Sequence, residues 1–454
     1  MNDILMHETG SPDIEARLTE AFLAHAKETP VLLQEWLEGE PASSRGHATR
    51  ALMLSLLARQ ELLPLAQEAS ATAVALAGGS GVDMTYAEAA SMAAHGAWWV
   101  AIDKLEQVIT LEPENTLAAK MSHALRFMLG DRAGMLRSIE RVLGKLPALH
   151  PHRGFMLGCH AFSLEESGEY GRAEAVGIEA VERETRDAWG LHAVSHVHEM
   201  MGRTADGIRW IEAREARIGH CNNFGGHLFW HLALFKLEAG AIGEVLELYD
   251  RKIRHEKTDD FRDIANGASL LMRLELDGHD VGNRWEELAD KAEARIDDRS
   301  LVFADLHYIL ALIGAGRRKP AAALARSIAA GPARNSVQNL VAERAGRSCA
   351  EGMVAYAAGQ TDRALELLLE GRNQRVIVGG SNAQRDIFEQ MTIEAALRSG
   401  HDDIARRLLT ERLQGRNGNN RFAEERLDRL MAPRMRGGGS LGLVASLAFA
   451  RPAH

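Results

Sequence analysis

Apolar and polar positions along this chain repeat with the period of an α-helix, and glycines interrupt them at regular intervals. Each glycine follows one apolar helical segment and precedes another. With spacings of 34 to 43 residues, these glycines are Gly96, Gly130, Gly168, Gly202, Gly240, Gly278, Gly316, Gly359 and Gly400. Glycine adopts the backbone of a tight turn at little steric cost. The pattern therefore predicts about nine stacked helix–turn–helix units, each too small to bury its apolar face alone.

The spacing is that of a tetratricopeptide repeat, about 34 residues, slightly stretched. We predict an all-α protein, a right-handed α-solenoid of tetratricopeptide-like helix–turn–helix repeats that curls around a concave pocket. Aromatic residues make only 5% of the sequence, and good helix formers dominate it, which agrees with that class. One short β-like run, Val376 to Val378, is too short for a sheet and is expected to be a loop.

The pattern divides the chain into three segments. Residues 1–80 are expected to form N-terminal helices that cap the solenoid, and residues 81–432 form the repeat superhelix. Residues 433–454 combine a flexible Gly/Arg hinge with an apolar stretch over 441–450, which is too short to span a membrane. We expect that stretch to pack within the chain or to form a homodimer contact, because exposed apolar surface favours association.

Charge and cysteine content exclude several classes. The net charge is −10, from 53 basic and 63 acidic residues, and no strong basic patch stands out, which argues against nucleic acid as a partner. The three cysteines contain no CxxC pair, which argues against a disulfide framework or a thiolate zinc site. We find no leader peptide and no apolar run of membrane-spanning length, and we therefore predict a cytoplasmic protein.

Two histidine pairs concentrate the polar chemistry of the chain. His192 and His196 are four residues apart, and so are His227 and His231. Residues at this spacing share one face of a helix. The two pairs fall on the first helices of consecutive units, and first helices usually line the inner wall of such a superhelix. The sequence therefore predicts that both histidine stripes face one concavity.

Other polar residues accompany these pairs. In segment 187–201, Glu199 follows the pair His192 and His196. In segment 223–237, Asn223 lies one turn before His227, and Trp230 stands next to His231. Single buried histidines are often core residues that bond to backbone carbonyls. A cluster of four is more simply explained by a shared polar pocket, because each buried imidazole needs a partner.

Several stretches resemble the tetratricopeptide repeat protein 38 family. They are DAWGLHAVSHVHEM (187–200), HLFWHLALFKLEAG (227–240), VLELYDRKI (245–253) and GGSNAQRDIFEQMTIEAALRSG (379–400). The resemblance implies an α-solenoid around an inner cavity, without implying a reaction. Asn382 stands where the family commonly has a histidine. The resemblance implies that eight residues of this chain occupy positions of the family's pattern: His192, His196, Glu199, Trp230, His231, Gln384, Arg385 and Asp386.

The favoured function is binding of a small molecule or a short peptide in the internal pocket. The residues expected to contact that ligand are His192, His196, His227, His231, Trp230, Asn223, Gln384, Arg385 and Asp386. For Gln384, Arg385 and Asp386 there is an alternative, namely a helix N-terminal cap with a structural ion pair.

Three other functions stay open. An enzyme, for example a hydrolase or lyase, could use His196 or His231 as an acid–base group oriented by Glu199 or Asp386. We predict no cofactor, but His192, His196 and His231 are the candidate ligands if a divalent metal is bound. The metalloprotease motif HExxH is absent, because the second histidine does not follow His198 and Glu199. A protein-interaction scaffold is the remaining alternative.

Overall fold

A computed structural model describes residues 13–79, 81–330 and 336–432. This part of the chain is helical, without strands, and forms an α-solenoid of tetratricopeptide-like units, which confirms the predicted fold class. The first four helices are α1 Ile14–Leu23, α2 Thr29–Gly39, α3 Ser44–Leu56 and α4 Leu63–Leu76. None of the described helices combines the length and the apolar character needed to cross a bilayer.

Helix pairs follow, each joined by one of the predicted glycines. The pairs are α5 Val82–Ala94 with α6 Trp98–Leu111, α7 Thr116–Met128 with α8 Arg132–Lys145, α9 Arg153–Glu166 with α10 Tyr170–Arg183, α11 Ala188–Met200 with α12 Thr204–Glu212, α13 Phe224–Glu238 with α14 Ile242–Leu248, α15 Phe261–Leu276 with α16 Arg284–Glu293, and α17 Val302–Gly314 with α18 Arg318–Ala329. The remaining helices are α19 Ser336–Val341 and α20 Arg347–Ala357 with α21 Thr361–Glu370, α22 Asn382–Arg398 with α23 Asp402–Gly415, and α24 Arg421–Met431.

All nine predicted turn glycines have a left-handed backbone, with φ between +65° and +84°. Their conformation confirms that glycine marks the turn in each unit. Short 3-10 or π segments also occur, at Gln60–Leu62, Glu215–Arg217, Tyr249–Ile253, Ala342–Gly346 and Arg372–Val378. The expected loop at Val376 to Val378 was therefore wrong, because these residues end a 3-10 helix.

First helices form the interior of the solenoid. Every residue of α17 is buried, whereas α18 buries only five residues along one stripe. The same contrast holds between α9 and α10 and between α11 and α12. A helix that is apolar on all sides belongs in the interior, and one with a single apolar stripe belongs at the surface.

The solenoid also closes on itself. Helix α22 packs against α15 and α11, and α1 packs against α7. A Cβ atom added to Gly130 would lie 2.0 Å from the carbonyl oxygen of Val376, so the turn of one early unit touches a late one directly. Helices α1–α4 share one hydrophobic core with the repeats. The hinge and apolar stretch over 433–454, with the dimer contact predicted for it, lie outside the described residues.

Candidate metal centre

Four histidines from two adjacent first helices meet in the interior. His192 and His196 lie on α11, and His227 and His231 lie on α13. Their side chains are 8% exposed or less. The Nε2 atom of His192 lies 3.0 Å from Nε2 of His227 and 2.9 Å from Nε2 of His196. One ring nitrogen from each of the four lies within 4.8 Å of the other three.

On two of the four rings, the opposite nitrogen faces an oxygen atom. Nδ1 of His227 lies 2.9 Å from the side-chain oxygen of Asn266 on α15, and Nδ1 of His231 lies 3.2 Å from Glu199 Oε2. An ionised carboxylate only accepts hydrogen bonds, and the same holds for an amide oxygen. The hydrogen-bond pattern therefore places the protons of both rings on Nδ1 and directs their bare Nε2 lone pairs into the cluster.

The four-histidine cluster has too few N–H protons to form a hydrogen bond at each close pair of ring nitrogens. His192 Nε2 can carry one proton, so it can donate to His227 or to His196, but not to both. Nε2 of His231 has no hydrogen-bond partner among the described residues. Buried lone pairs that face each other without a donor are destabilising. A cation among them would remove that cost.

Burial keeps all four imidazoles neutral. It lowers the pKa of His227 to about 4. Burial and then the neighbouring imidazoles hold the pKa of His192 well below its usual value, and the same causes act on His196 and His231. Neutral imidazole is the form that binds metal ions.

Aromatic rings enclose the cluster. Trp230 is fully buried and stacks on His227, with ring centroids 5.2 Å apart at an angle of 16°. Trp189 and Phe162 pack against His192 at 4.9 and 5.3 Å. Such a wall excludes water and strengthens electrostatic interactions inside it.

A polar layer lies beyond Glu199. Arg416 Nη2 lies 4.0 Å from Glu199 Oε1 and 3.5 Å from Asp386 Oδ1. Asp386 also forms a two-pronged ion pair with Arg412. These residues line a cavity of about 60 Å³ with Arg273. Among the sequence-predicted residues, Glu199 and Asp386 thus line one cavity, and Glu199 also contacts His231.

The other residues of the 384–386 motif have local roles. Gln384 forms a reciprocal capping box with Ser381 at the start of α22. Arg385 donates to the carbonyl oxygens of Gly379 and Gly380 and lies 3.2 Å from Glu166. These contacts match the alternative of a helix cap with ion pairs, although Arg385 and Asp386 each pair with a residue on another helix.

Asn223 takes no part in the cluster geometry. It occupies the N-cap position of α13 and is half-buried, and within the described residues its side chain makes no cap hydrogen bond. The described residues show no hydrogen bond between Asn223 and any of the four histidines.

Sequence reasoning missed two residues that contact the histidines. Asn266 lies on the next first helix along the chain, and Glu165 lies on the preceding one. A signal for Glu165 existed, because it stands three residues before Gly168 just as Glu199 stands three residues before Gly202. Equivalent positions in consecutive repeats face the same way. No comparable signal identifies Asn266.

The helix pairs and the buried cluster define a tetratricopeptide-like helical-repeat protein with a four-histidine interior. No family model matches the chain. Similar solved structures include a human IFIT1 dimer with m7Gppp-AAAA, which is 16% identical with a TM-score of 0.38 over 92% of this chain and 93% of that one. A monomeric mutant of IFIT1 with Gppp-AAAA is 15% identical, with a TM-score of 0.36 over 92% and 99%.

The structure of Naa15/Naa10 bound to HypK-THB is a third similar structure, 13% identical with a TM-score of 0.25 over 92% of this chain and 66% of that one. At these TM-scores, the similarities carry no information about what this chain binds.

Proposed function

We propose that this protein binds a divalent transition-metal ion at the four-histidine cluster formed by His192, His196, His227 and His231. The observation that carries the proposal is the convergence of four buried ring nitrogens within 4.8 Å of one another. Imidazole donors suit ions such as Zn²⁺, Co²⁺, Ni²⁺ and Cu²⁺. The sequence favoured an organic ligand, but imidazoles in direct contact leave room for a single ion only.

Two of the nitrogen separations come close to those around a tetrahedral ion. Four nitrogens at about 2.0–2.1 Å from a metal lie about 3.3–3.4 Å from one another in a tetrahedron. The Nε2–Nε2 separations at His192 are 2.9 and 3.0 Å, so the rings would need to open by a few tenths of an ångström. Glu199 and Asn266 hold the outer nitrogens, as hydrogen-bond acceptors commonly do behind metal-binding histidines.

The carboxyl groups beside the cluster also favour a bound divalent ion. Glu199 faces His231, and Glu165 lies 3.6 Å from Nδ1 of His196. Burial raises the pKa of both carboxyls above the ordinary value, most strongly for Glu165. Ionised carboxylates beside four neutral imidazoles are costly without a positive charge. A divalent ion supplies that charge.

Four protein donors saturate a tetrahedral ion, which is typical of structural rather than catalytic zinc. We therefore infer that the ion joins two consecutive repeats, because α11 and α13 each supply two ligands.

We also propose that the chain belongs to the tetratricopeptide repeat protein 38 family. The motifs at 187–200, 227–240 and 379–400 support this assignment.

The test is metal content of the full chain, purified without a polyhistidine tag. The protein is stripped with a chelator, dialysed against Zn²⁺ or Co²⁺, and examined by elemental analysis and native mass spectrometry. We expect bound metal in the wild type and its loss in the variant with His192→Ala and His231→Ala.

The matched control is His198→Ala. His198 lies on the same helix but packs on Trp210, 6.2 Å between ring centroids, away from the cluster. This variant should keep its metal. A wild-type chain that takes up no transition metal, or a double variant that binds as much as the wild type, would overturn the proposal.

A further inference from the structure

Glu165 is a fully buried carboxyl group at the edge of the histidine cluster. Its side chain is 0% exposed, and neither carboxyl oxygen has a hydrogen-bond partner among the described residues. The nearest ring nitrogen is Nδ1 of His196, 3.6 Å from Oε2. That distance is too long for a hydrogen bond. A buried carboxylate in this state needs a cation or a proton.

The 3.6 Å spacing suits two ligands of one metal ion. Donors at about 2.0–2.2 Å from an ion, separated by a tetrahedral angle, lie about 3.3–3.6 Å apart. His196 thus presents both ring nitrogens to candidate ions, since its Nε2 lies in the four-histidine cluster. Its Nδ1 faces away from that cluster, towards Glu165.

Glu166 completes this second group. One ligand atom each from Glu165, Glu166 and His196 lie within 4.8 Å of one another. The backbone N–H of Asn382 donates to Glu166 Oε1 at 2.7 Å, and Arg385 Nη2 donates to Oε2 at 3.2 Å. Each carboxylate oxygen has two lone pairs, so both retain one for a metal. These two donors fix the orientation of Glu166 in advance.

We propose that Glu165, Glu166 and Nδ1 of His196 bind a second divalent transition-metal ion, which makes the interior a dinuclear centre bridged by the His196 imidazolate. The inference rests on the proposed function, because the bridge requires the first ion at Nε2. On binding, each ring nitrogen of His196 donates its lone pair to one ion, and the remaining ring proton leaves to solvent. Three protein donors leave coordination positions open at the second ion, in contrast to the closed first site.

The test counts ions in the full chain. Chelator-stripped protein is titrated with Co²⁺ and examined by native mass spectrometry, beside Glu165→Gln and the control Glu179→Gln. Glu179 is an exposed carboxylate on α10 that pairs with Arg183 and is not one of the proposed ligands. We expect two ions in the wild type and the control, and one ion in Glu165→Gln. If Glu165→Gln does not fold, as judged by circular dichroism, Glu166→Gln replaces it, with the same expected count of one.

Electron paramagnetic resonance with Cu²⁺ gives a second readout. Two copper ions across a bridging imidazolate couple magnetically, so the wild-type signal should fall far below that of two isolated ions. The signal of one isolated ion should return in Glu165→Gln. One ion in both the wild type and Glu165→Gln would overturn the second site and leave the first, because Glu165 then carries a proton. No ion in the wild type would overturn both sites.

Discussion

Nε2 of His192 lies 3.0 Å from Nε2 of His227, although the two residues belong to consecutive repeats. An ion between them would tie α11 to α13, so metal should stabilise the fold. Binding stabilises the native state by about 4 kcal/mol at a free-metal concentration of about 1,000 times the dissociation constant. We predict that Zn²⁺ raises the unfolding temperature of the wild type and of His198→Ala, but leaves that of the double variant with His192→Ala and His231→Ala unchanged. Differential scanning calorimetry with and without Zn²⁺ measures this, and equal shifts in all three would contradict it.

Asn266 should tune metal affinity without binding the ion. Its side-chain oxygen accepts from Nδ1 of His227. Replacing Asn266 with Leu removes that acceptor, so the ring loses its fixed orientation. Loss of such an outer contact typically lowers metal affinity by about 10- to 100-fold. Competition with a chromophoric chelator gives the dissociation constants. Ser269→Ala, one turn further on α15, is the control and should stay within a factor of about two of the wild type.

Gly130 and Gly168 offer a matched pair of turn glycines, with φ of +67° and +83°. Alanine at either position adopts an unfavourable left-handed backbone, at a cost of about 1–2 kcal/mol. A Cβ at Gly168 meets open space, whereas one at Gly130 would lie 2.0 Å from the carbonyl oxygen of Val376.

We therefore predict that Gly130→Ala lowers the free energy of unfolding by about 1–3 kcal/mol more than Gly168→Ala. Urea denaturation of both variants measures the difference. If both variants lose the same free energy of unfolding, the contact between the turn at Gly130 and Val376 is absent in solution.

The carboxylate of Asp386 lies among three arginine side chains. It pairs with Arg412 through both oxygens, and Arg416 and Arg273 lie 3.5 and 3.9 Å away. These neighbours hold the pKa of Asp386 well below its usual value, although burial alone would raise it. Removing one partner leaves buried charges uncompensated, which costs about 3–5 kcal/mol.

Asp386→Ala should therefore destabilise the protein by about that amount in urea unfolding. Glu179→Ala, which removes an exposed ion pair, should cost less than about 1 kcal/mol. Comparable losses in the two variants would show that the arginines find other partners.

Asp305, on the first turn of α17, should make stability depend on pH. Its side chain is buried, and burial raises the pKa of the carboxyl from 3.8 to about 8. Between these values the native state keeps a proton that the unfolded chain has lost. The free energy of unfolding should therefore fall as pH rises from about 4 to 8, by about 1.4 kcal/mol per unit from this group, and level off above. Asp305→Asn should flatten that slope in urea unfolding at several pH values, and an unchanged slope would contradict the assignment.

Much of the fold could be predicted from local signals. The glycine spacing located nine turns, and the four-residue spacing of the histidines placed each pair on one helix face. Local periodicity determines these features, because they depend on neighbours within one or two helical turns. The local role of Gln384 was likewise open to prediction, since a Ser381–Gln384 capping box depends on residues three apart.

Features that join distant units could not be predicted in this way. The approach of Gly130 to Val376 and the pairing of Asp386 with Arg412 depend on how far the superhelix closes. That closure is the sum of small rotations between successive units, to which every interface contributes.

The sequence by itself determined that the chain is a stack of helix–turn–helix units with two histidine stripes on consecutive inner helices. The tertiary structure decided that the stripes meet nitrogen to nitrogen and that Asn266 and Glu199 lie behind them. It also decided that Glu165 has no hydrogen-bond partner within the part of the chain that the structure describes. The physical reason is that the two sets of features depend on interactions of different range along the chain. Turn chemistry and helical periodicity act over a few residues, whereas the protonation and charge balance of a buried cluster depend on side chains that only the packed superhelix brings together.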